Sequence, residues 1–176
     1  MRWKSTPDRY GRVAVAIHWL TTLLIIALLI SGFRAANTID PAAKAAILGA
    51  HAAVGLSVLA LTLVRLGWWL LDAKPAIAAG MRPFLLRAAK TVHALFYVVI
   101  LGMAASGIGM LALSGAGAIL FAGASGTLPD FWAYPPRVPH GIGARLLVAL
   151  FVLHAGAALY HQFIKRDGLL RRMAFN

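Results

Sequence analysis

Four long apolar runs, separated by polar or basic segments, set the pattern of this chain. They cover roughly residues 13–33, 47–71, 88–113 and 141–164. Each reaches the ~20 residues that a helix needs to cross about 30 Å of hydrocarbon. A soluble protein with one buried helix would show one such run, not four. The pattern predicts an all-α integral membrane protein: a bundle of four transmembrane helices in a single domain over residues 1–176. The first connection, residues 34–46, holds Asn37, Asp40 and Pro41, which turn the chain and start helices. The second, 72–87, carries Pro75 and Pro83 and has room for a short interfacial segment. The third, 114–139, is the longest. It opens Gly-rich and closes on Phe131-Trp132-Ala133-Tyr134-Pro135-Pro136, whose aromatics suit a membrane–water boundary and a lid across the bundle mouth. No internal repeat is evident at this level.

Charge adds a direction. The net charge is +12, which in a soluble protein would point to nucleic acid. Here the cations sort by connection. Arg2, Lys4, Arg9 and Arg12 precede the first run; Arg65, Lys74, Arg82, Arg87 and Lys90 flank the middle connection; Lys165, Arg166, Arg171 and Arg172 follow the fourth run. Only Arg34, Lys44 and Arg137 lie near the other two connections, with Arg145 inside the outer end of the fourth run. The positive-inside rule then predicts both termini and the middle loop on the cytoplasmic side, and the other loops on the opposite side, the periplasm if the source is bacterial. Lipid, not nucleic acid, is the expected surrounding. The first run is too long for a signal-peptide core and contains His18, so it is expected to be a retained helix.

Histidine carries the candidate chemistry. The chain is 61% hydrophobic and has no glutamate, yet five of its six histidines (18, 51, 140, 154 and 161) sit in or beside the apolar runs, and His93 opens the third run. Ionisable groups in lipid are costly and usually face a bundle interior. Imidazole is also a common ligand of haem iron. Cysteine is absent, which removes iron–sulfur clusters, thiolate zinc sites and covalent c-type haem attachment. Zinc or copper is disfavoured by the lack of intramembrane carboxylates and of tight histidine spacing. His140 and His154 are 14 residues apart, so they share a helix stripe about 21 Å long. The alternating direction of the helices pairs His18 with His154 near the inner face and His51 with His140 near the outer face. Two b-type haems held non-covalently, one per pair, are the expected content of the bundle.

Other residues have open alternatives. Gly55, four residues after His51, either lets a macrocycle approach or packs helices; the same holds for Gly143 near His140. Arg145 either meets a haem propionate or snorkels to lipid phosphate. His161, seven residues past His154, is too far to share its iron; it either binds a quinone carbonyl or rests at the interface. His93, with Tyr97 four residues on, either lines that same pocket or caps the bundle.

An ordered set of motifs runs through these residues: Arg9-Tyr10, Ile17-His18-Trp19-Leu20, His51-Ala52-Ala53-Val54-Gly55, Val64-Arg65-Leu66, His93 with Tyr97, His140, and Leu153-His154 with His161. Together they resemble the bacterial cytochrome b561 family, small four-helix di-haem b proteins related to the membrane subunits of formate dehydrogenase and nickel–iron hydrogenase. The resemblance implies two b haems with the pairing above and electron exchange with ubiquinone or another quinone. It also implies that the periplasmic reductant can be superoxide. Arg34, Lys44, Arg137 and Arg145 would then steer the anion, and His161 would lie near the quinone. Two alternatives stay open: an anchor subunit relaying electrons for a partner dehydrogenase or hydrogenase, and a non-redox transporter or scaffold.

Overall fold

A computed structural model describes residues 2–77 and 81–175. Its long helices are α1 (Arg12–Asn37), α2 (Pro41–Leu71), α3 (Pro83–Ser114) and α5 (Arg137–Tyr160), with a short α4 (Ala116–Phe121) between the last two. A π-helical turn, His161–Lys165, prolongs α5, and single 3-10 turns cover Phe131–Ala133 and Leu170–Met173. All four long elements are apolar and long enough to span a bilayer. The protein is an integral membrane four-helix bundle.

Each helix runs past the apolar run that announced it, because helix propensity and capping outlast hydrophobicity. Ala35, Ala36 and Asn37 prolong α1, and Asn37 Nδ2 donates to the Phe33 carbonyl at 2.7 Å. Pro41 then opens α2 in the first turn, where its missing N–H costs nothing. The Asp40 carboxylate caps it, accepting from Ala43 N at 2.7 Å. The expected connection 34–46 thus shrinks to Thr38–Asp40. In the same way Pro83 opens α3 inside the expected loop 72–87; part of the interfacial segment foreseen there, 78–80, lies outside the described residues. Gly115, at φ 70°, ends α3 in the left-handed region, where glycine alone carries no Cβ penalty. The chain then turns into α4, which packs on α3 and α2 at the bundle mouth.

The bundle consists of two hairpins. α1 packs chiefly against α2 and α3 against α5, with slighter contact between the pairs. The most buried cluster lies midway along the bundle: Ile25, Val58 and Leu147, with Phe96, Val99 and Ile100 packed on it. Outward side chains such as Leu23, Leu70 and Val152 are exposed and apolar, as lipid contact requires.

The described terminal segments and the described part of the α2–α3 connection gather at one end. Tyr10 N donates to Arg172 O at 3.1 Å and Ala76 N to Pro7 O at 2.8 Å. Arg172 reaches three carbonyls, those of Asp8, Pro7 and Ala76. Trp19 Nε1 donates to Met173 O at 2.8 Å. Asp72 accepts from the N–H and hydroxyl of Ser5 and from Trp68 Nε1. Burial raises the Asp72 carboxyl pKa, but these hydrogen bonds outweigh it and hold it below the usual carboxylate range.

Candidate functional site

One sevenfold spacing organises the interior. Seven residues bring a helix back to within about 20° of the same face. On α1 that spacing links His18, Ile25 and Gly32; on α2, His51, Val58 and Arg65; on α3, His93, Ile100 and Gly107; on α5, His140, Leu147 and His154. Since α1 and α3 run opposite to α2 and α5, these residues form three layers. His18, Arg65, His93 and His154 lie toward the terminal end. Ile25, Val58, Ile100 and Leu147 fill the middle. Gly32, His51, Gly107 and His140 lie toward the far end. The contacts follow these layers: His18 and His93 both meet His154, Arg65 meets His18, and His51 meets His140.

The layers expose an internal repeat that inspection of the chain does not show. Every named position on α1 recurs 75 residues later on α3, and every one on α2 recurs 89 residues later on α5. The offset changes because the long third connection, with α4, is inserted in the second hairpin. The match is strongest along the inward stripe and sparse among the lipid-facing residues, which mask it. Two of the matched positions have diverged in kind: Arg65 stands where the second hairpin has His154, and Gly55 matches Ala144.

Two histidine pairs face each other across the hairpins. The ring centroids of His18 and His154 are 6.2 Å apart, with planes at 71°. Those of His51 and His140 are also 6.2 Å apart, at 65°. Two imidazoles on opposite sides of one metal ion stand about 6 Å apart, given roughly 2 Å per bond and roughly 1 Å from ring nitrogen to centroid. Both pairs fit that spacing. His93 lies closer to His154, at 5.3 Å, too near to be its opposite ligand across an ion. In each pair the partners come from different hairpins, so a flat group held between them would enter where the hairpins touch least.

The far pair has matched supports. Ser31 Oγ lies 3.0 Å from His51 Nδ1, and Ser106 Oγ lies 2.9 Å from His140 Nδ1. Gly32 and Gly107 follow these serines. A Cβ on Gly32 would meet His51 Cε1 at 3.2 Å, and one on Gly107 would meet His140 Cε1 at 3.4 Å. The near pair has Arg65 instead, with Nη1 3.2 Å from His18 Nδ1. The charge map had grouped Arg65 with the loop beyond α2; the structure puts it on the inward stripe, level with His18. Ser31, Ser106, Gly32 and Gly107 were not among the candidates the sequence offered. The signal that could have found them is the Ser-Gly dipeptide standing 13 residues after His18 and again 13 after His93.

The remaining candidates fall outside these layers. A Cβ on Gly55 would make ordinary contact with Leu28 at 3.9 Å, and one on Gly143 would collide with Met103. Arg145 folds onto its own helix, donating to Gly141 O at 3.0 Å. Arg137 lies over the Trp132 ring at 4.2 Å, and Trp132 is exposed. Arg34 is exposed and Lys44 half-buried at the same far end. His161, at the terminal end, hydrogen-bonds Asp167 through Nδ1. That bond holds the Asp167 carboxyl below its ordinary range, and the Leu169 N–H assists.

Comparison with known proteins agrees with this architecture. The prokaryotic cytochrome b561 family matches residues 9–176. The chain is similar to cytochrome b562 of Cereibacter sphaeroides, 31% identical over 93% of this chain and 94% of that protein. It is also similar to cytochrome b561 homolog 2 of Escherichia coli K12, at 26% over 98% and 95% respectively. A third relative is the probable superoxide oxidase CybB of Yersinia pestis, at 28% over 94% and 95%. A membrane bundle with opposed histidines, matched along nearly its whole length, belongs to the prokaryotic cytochrome b561 family, whose members are membrane electron-transfer proteins with b-type haem.

Proposed function

We propose that this protein carries two b haems and passes electrons from periplasmic superoxide to ubiquinone in the membrane. The observation that carries the reading is the pair of histidine clamps, each 6.2 Å across and each drawn from both hairpins. In this assignment His18 and His154 ligate the inner haem, and His51 and His140 the outer one. When bound, the haems supply reversible one-electron chemistry; the protein supplies ligation, spacing and exposure. Arg65 has no carboxylate within salt-bridge distance among the described residues, so its charge is available for the propionates of the inner haem.

Thirteen of the 17 basic residues lie at the terminal end, which supports a cytoplasmic location for that end and both termini. The far end then faces the periplasm, where Arg34, Lys44, Arg137 and Arg145 outnumber Asp40 and Asp130. Such a surplus draws anions. Superoxide as donor is supported by the name of the Yersinia relative. The reaction balances as two superoxide anions giving one electron each to become dioxygen, and one quinone taking both electrons with two cytoplasmic protons to become quinol. His161, hydrogen-bonded to Asp167 near the cytoplasmic surface, suits a contact to the quinone oxygen.

A dithionite-reduced minus oxidised spectrum of the purified protein tests the site. Two low-spin b haems per chain, with about half the α band lost in His154→Ala and none in His161→Ala, are expected. A colourless protein, or full absorbance in His154→Ala, overturns the assignment. Stopped-flow mixing with superoxide tests the donor: reduction of the oxidised haem within the mixing experiment is expected, and a silent trace removes superoxide.

A further inference from the structure

The two serine–imidazole contacts at the far end carry an assignment of proton position. Ser31 Oγ donates its one hydrogen to Leu28 O at 3.1 Å, and Ser106 Oγ donates its own to Met103 O at 3.0 Å. A hydroxyl has a single hydrogen. With that hydrogen committed to a carbonyl three residues back, each serine oxygen can only accept from the imidazole. That arrangement favours the hydrogen on Nδ1 of His51 and of His140, which leaves Nε2 of each ring with its lone pair free. Both rings are thus held in the tautomer that a metal requires at Nε2. Reversing the bond would require the serine to give up its contact with the carbonyl three residues back.

The arrangement occurs twice, in helices related by the internal repeat, with distances matching to about 0.1 Å. In each hairpin the serine is followed by a glycine whose missing side chain gives the ring room. Helix packing alone gives no reason for the same donor, acceptor and gap to recur at both sites. The inner level lacks the device: glycine-spaced serines have no counterpart there, and Arg65 meets His18 instead.

We propose that Ser31 and Ser106 are positioning residues for the outer haem, fixing the tautomer and ring orientation of His51 and His140 and lowering that haem's reduction potential. The proposal rests on the di-haem reading above. A hydrogen bond accepted from Nδ1–H makes the imidazole a more basic ligand. A more basic ligand favours the oxidised iron. Removing the acceptor therefore moves the outer potential upward, while the inner haem, served by neither serine, stays where it was. The two haems would then differ in potential partly through groups that touch neither of them directly.

Anaerobic redox titration of the α band tests this on the intact protein in detergent, with haem content measured alongside. The component missing in His140→Ala identifies the outer haem. Ser31→Ala and Ser106→Ala are each expected to shift that component alone to higher potential, and the double variant further than either. Ser31→Thr and Ser106→Thr keep the oxygen and are expected to titrate like the parent. If an alanine variant loses the outer haem while its threonine counterpart retains haem and potential, the oxygen is still shown to act on that site. Unchanged potentials in alanine variants with full haem overturn the proposal. So does an equal shift of both components, or threonine variants that shift or lose haem as the alanine variants do. A parent protein without two b haems overturns the underlying site reading, and is recognised before any serine variant is made.

Discussion

Single side chains at the histidine levels differ in how much change they tolerate. At Gly32 an added methyl would press on His51 Cε1 at 3.2 Å, so the ring must yield; at Gly107 the matching contact with His140 is 3.4 Å, near ordinary van der Waals distance. Gly32→Ala is therefore expected to broaden or shift the outer α band more than Gly107→Ala does, read from reduced spectra of the two variants. Arg65 offers a second comparison. Arg65→Met keeps much of the apolar stem but removes the charge beside His18. An inner haem that loses a nearby cation becomes easier to oxidise, so its midpoint is expected to fall while the outer one holds. Potentiometric titration decides, and an unchanged inner component would separate Arg65 from the site. The histidines were legible because an imidazole in an apolar run is conspicuous. The serines, glycines and Arg65 were not, since their meaning lies in partners 20 to 47 residues away.

Element boundaries follow local chemistry more than hydropathy. The four helices could be read from their apolar runs, but the three-residue connection Thr38–Asp40 could not, because Ala-rich flanks continue a helix after the hydrophobic signal has stopped. That tight connection depends on the Asp40 cap. Asp40→Ala leaves Ala43 N without its acceptor and is expected to cost about 1 kcal/mol, measurable as a lower midpoint in thermal unfolding followed by circular dichroism. The Asp40→Asn variant, which can still cap, should recover most of the loss. Gly115 sets the other sharp turn at φ 70°; an alanine there is expected to cost roughly 1 kcal/mol for the left-handed backbone. The repeat between the hairpins also lay hidden at this scale. It is written in one inward position per two turns, and the inserted connection breaks its register.

At the scale of the whole molecule, polar contacts between chain segments are densest at the terminal end, while the middle of the bundle packs through apolar side chains. Asp72 anchors the N-terminal segment through Ser5. Its carboxyl lies below the ordinary range in the folded protein. A depressed carboxyl contributes stability above the unfolded value of about 4, and that contribution disappears as pH falls through the lower folded value. Hydrogen-exchange protection over residues 2–10, taken relative to the intrinsic rate at each pH, is therefore expected to be high at neutral pH and to fall as pH drops below about 4. Asp72→Asn should show the lowered protection already at neutral pH. Equal protection in variant and parent at neutral pH would detach Asp72 from this role. The gathering of both termini at one end was readable from the parity of four spans; the atoms that clasp them were not, because carbonyl acceptors such as those of Pro7 and Ala76 carry no sequence signature.

The layer of Ile25, Val58, Ile100 and Leu147 between the two histidine levels has an electrical meaning. Its side chains offer no hydrogen-bond donor or acceptor, so a water file has nothing to rest on at mid-depth. With a haem at each histidine level, charge would cross this septum as a tunnelling electron and not as a hopping proton. On the two-haem reading proposed above, the bundle would act as a wire with an insulating sleeve against hydrogen ions.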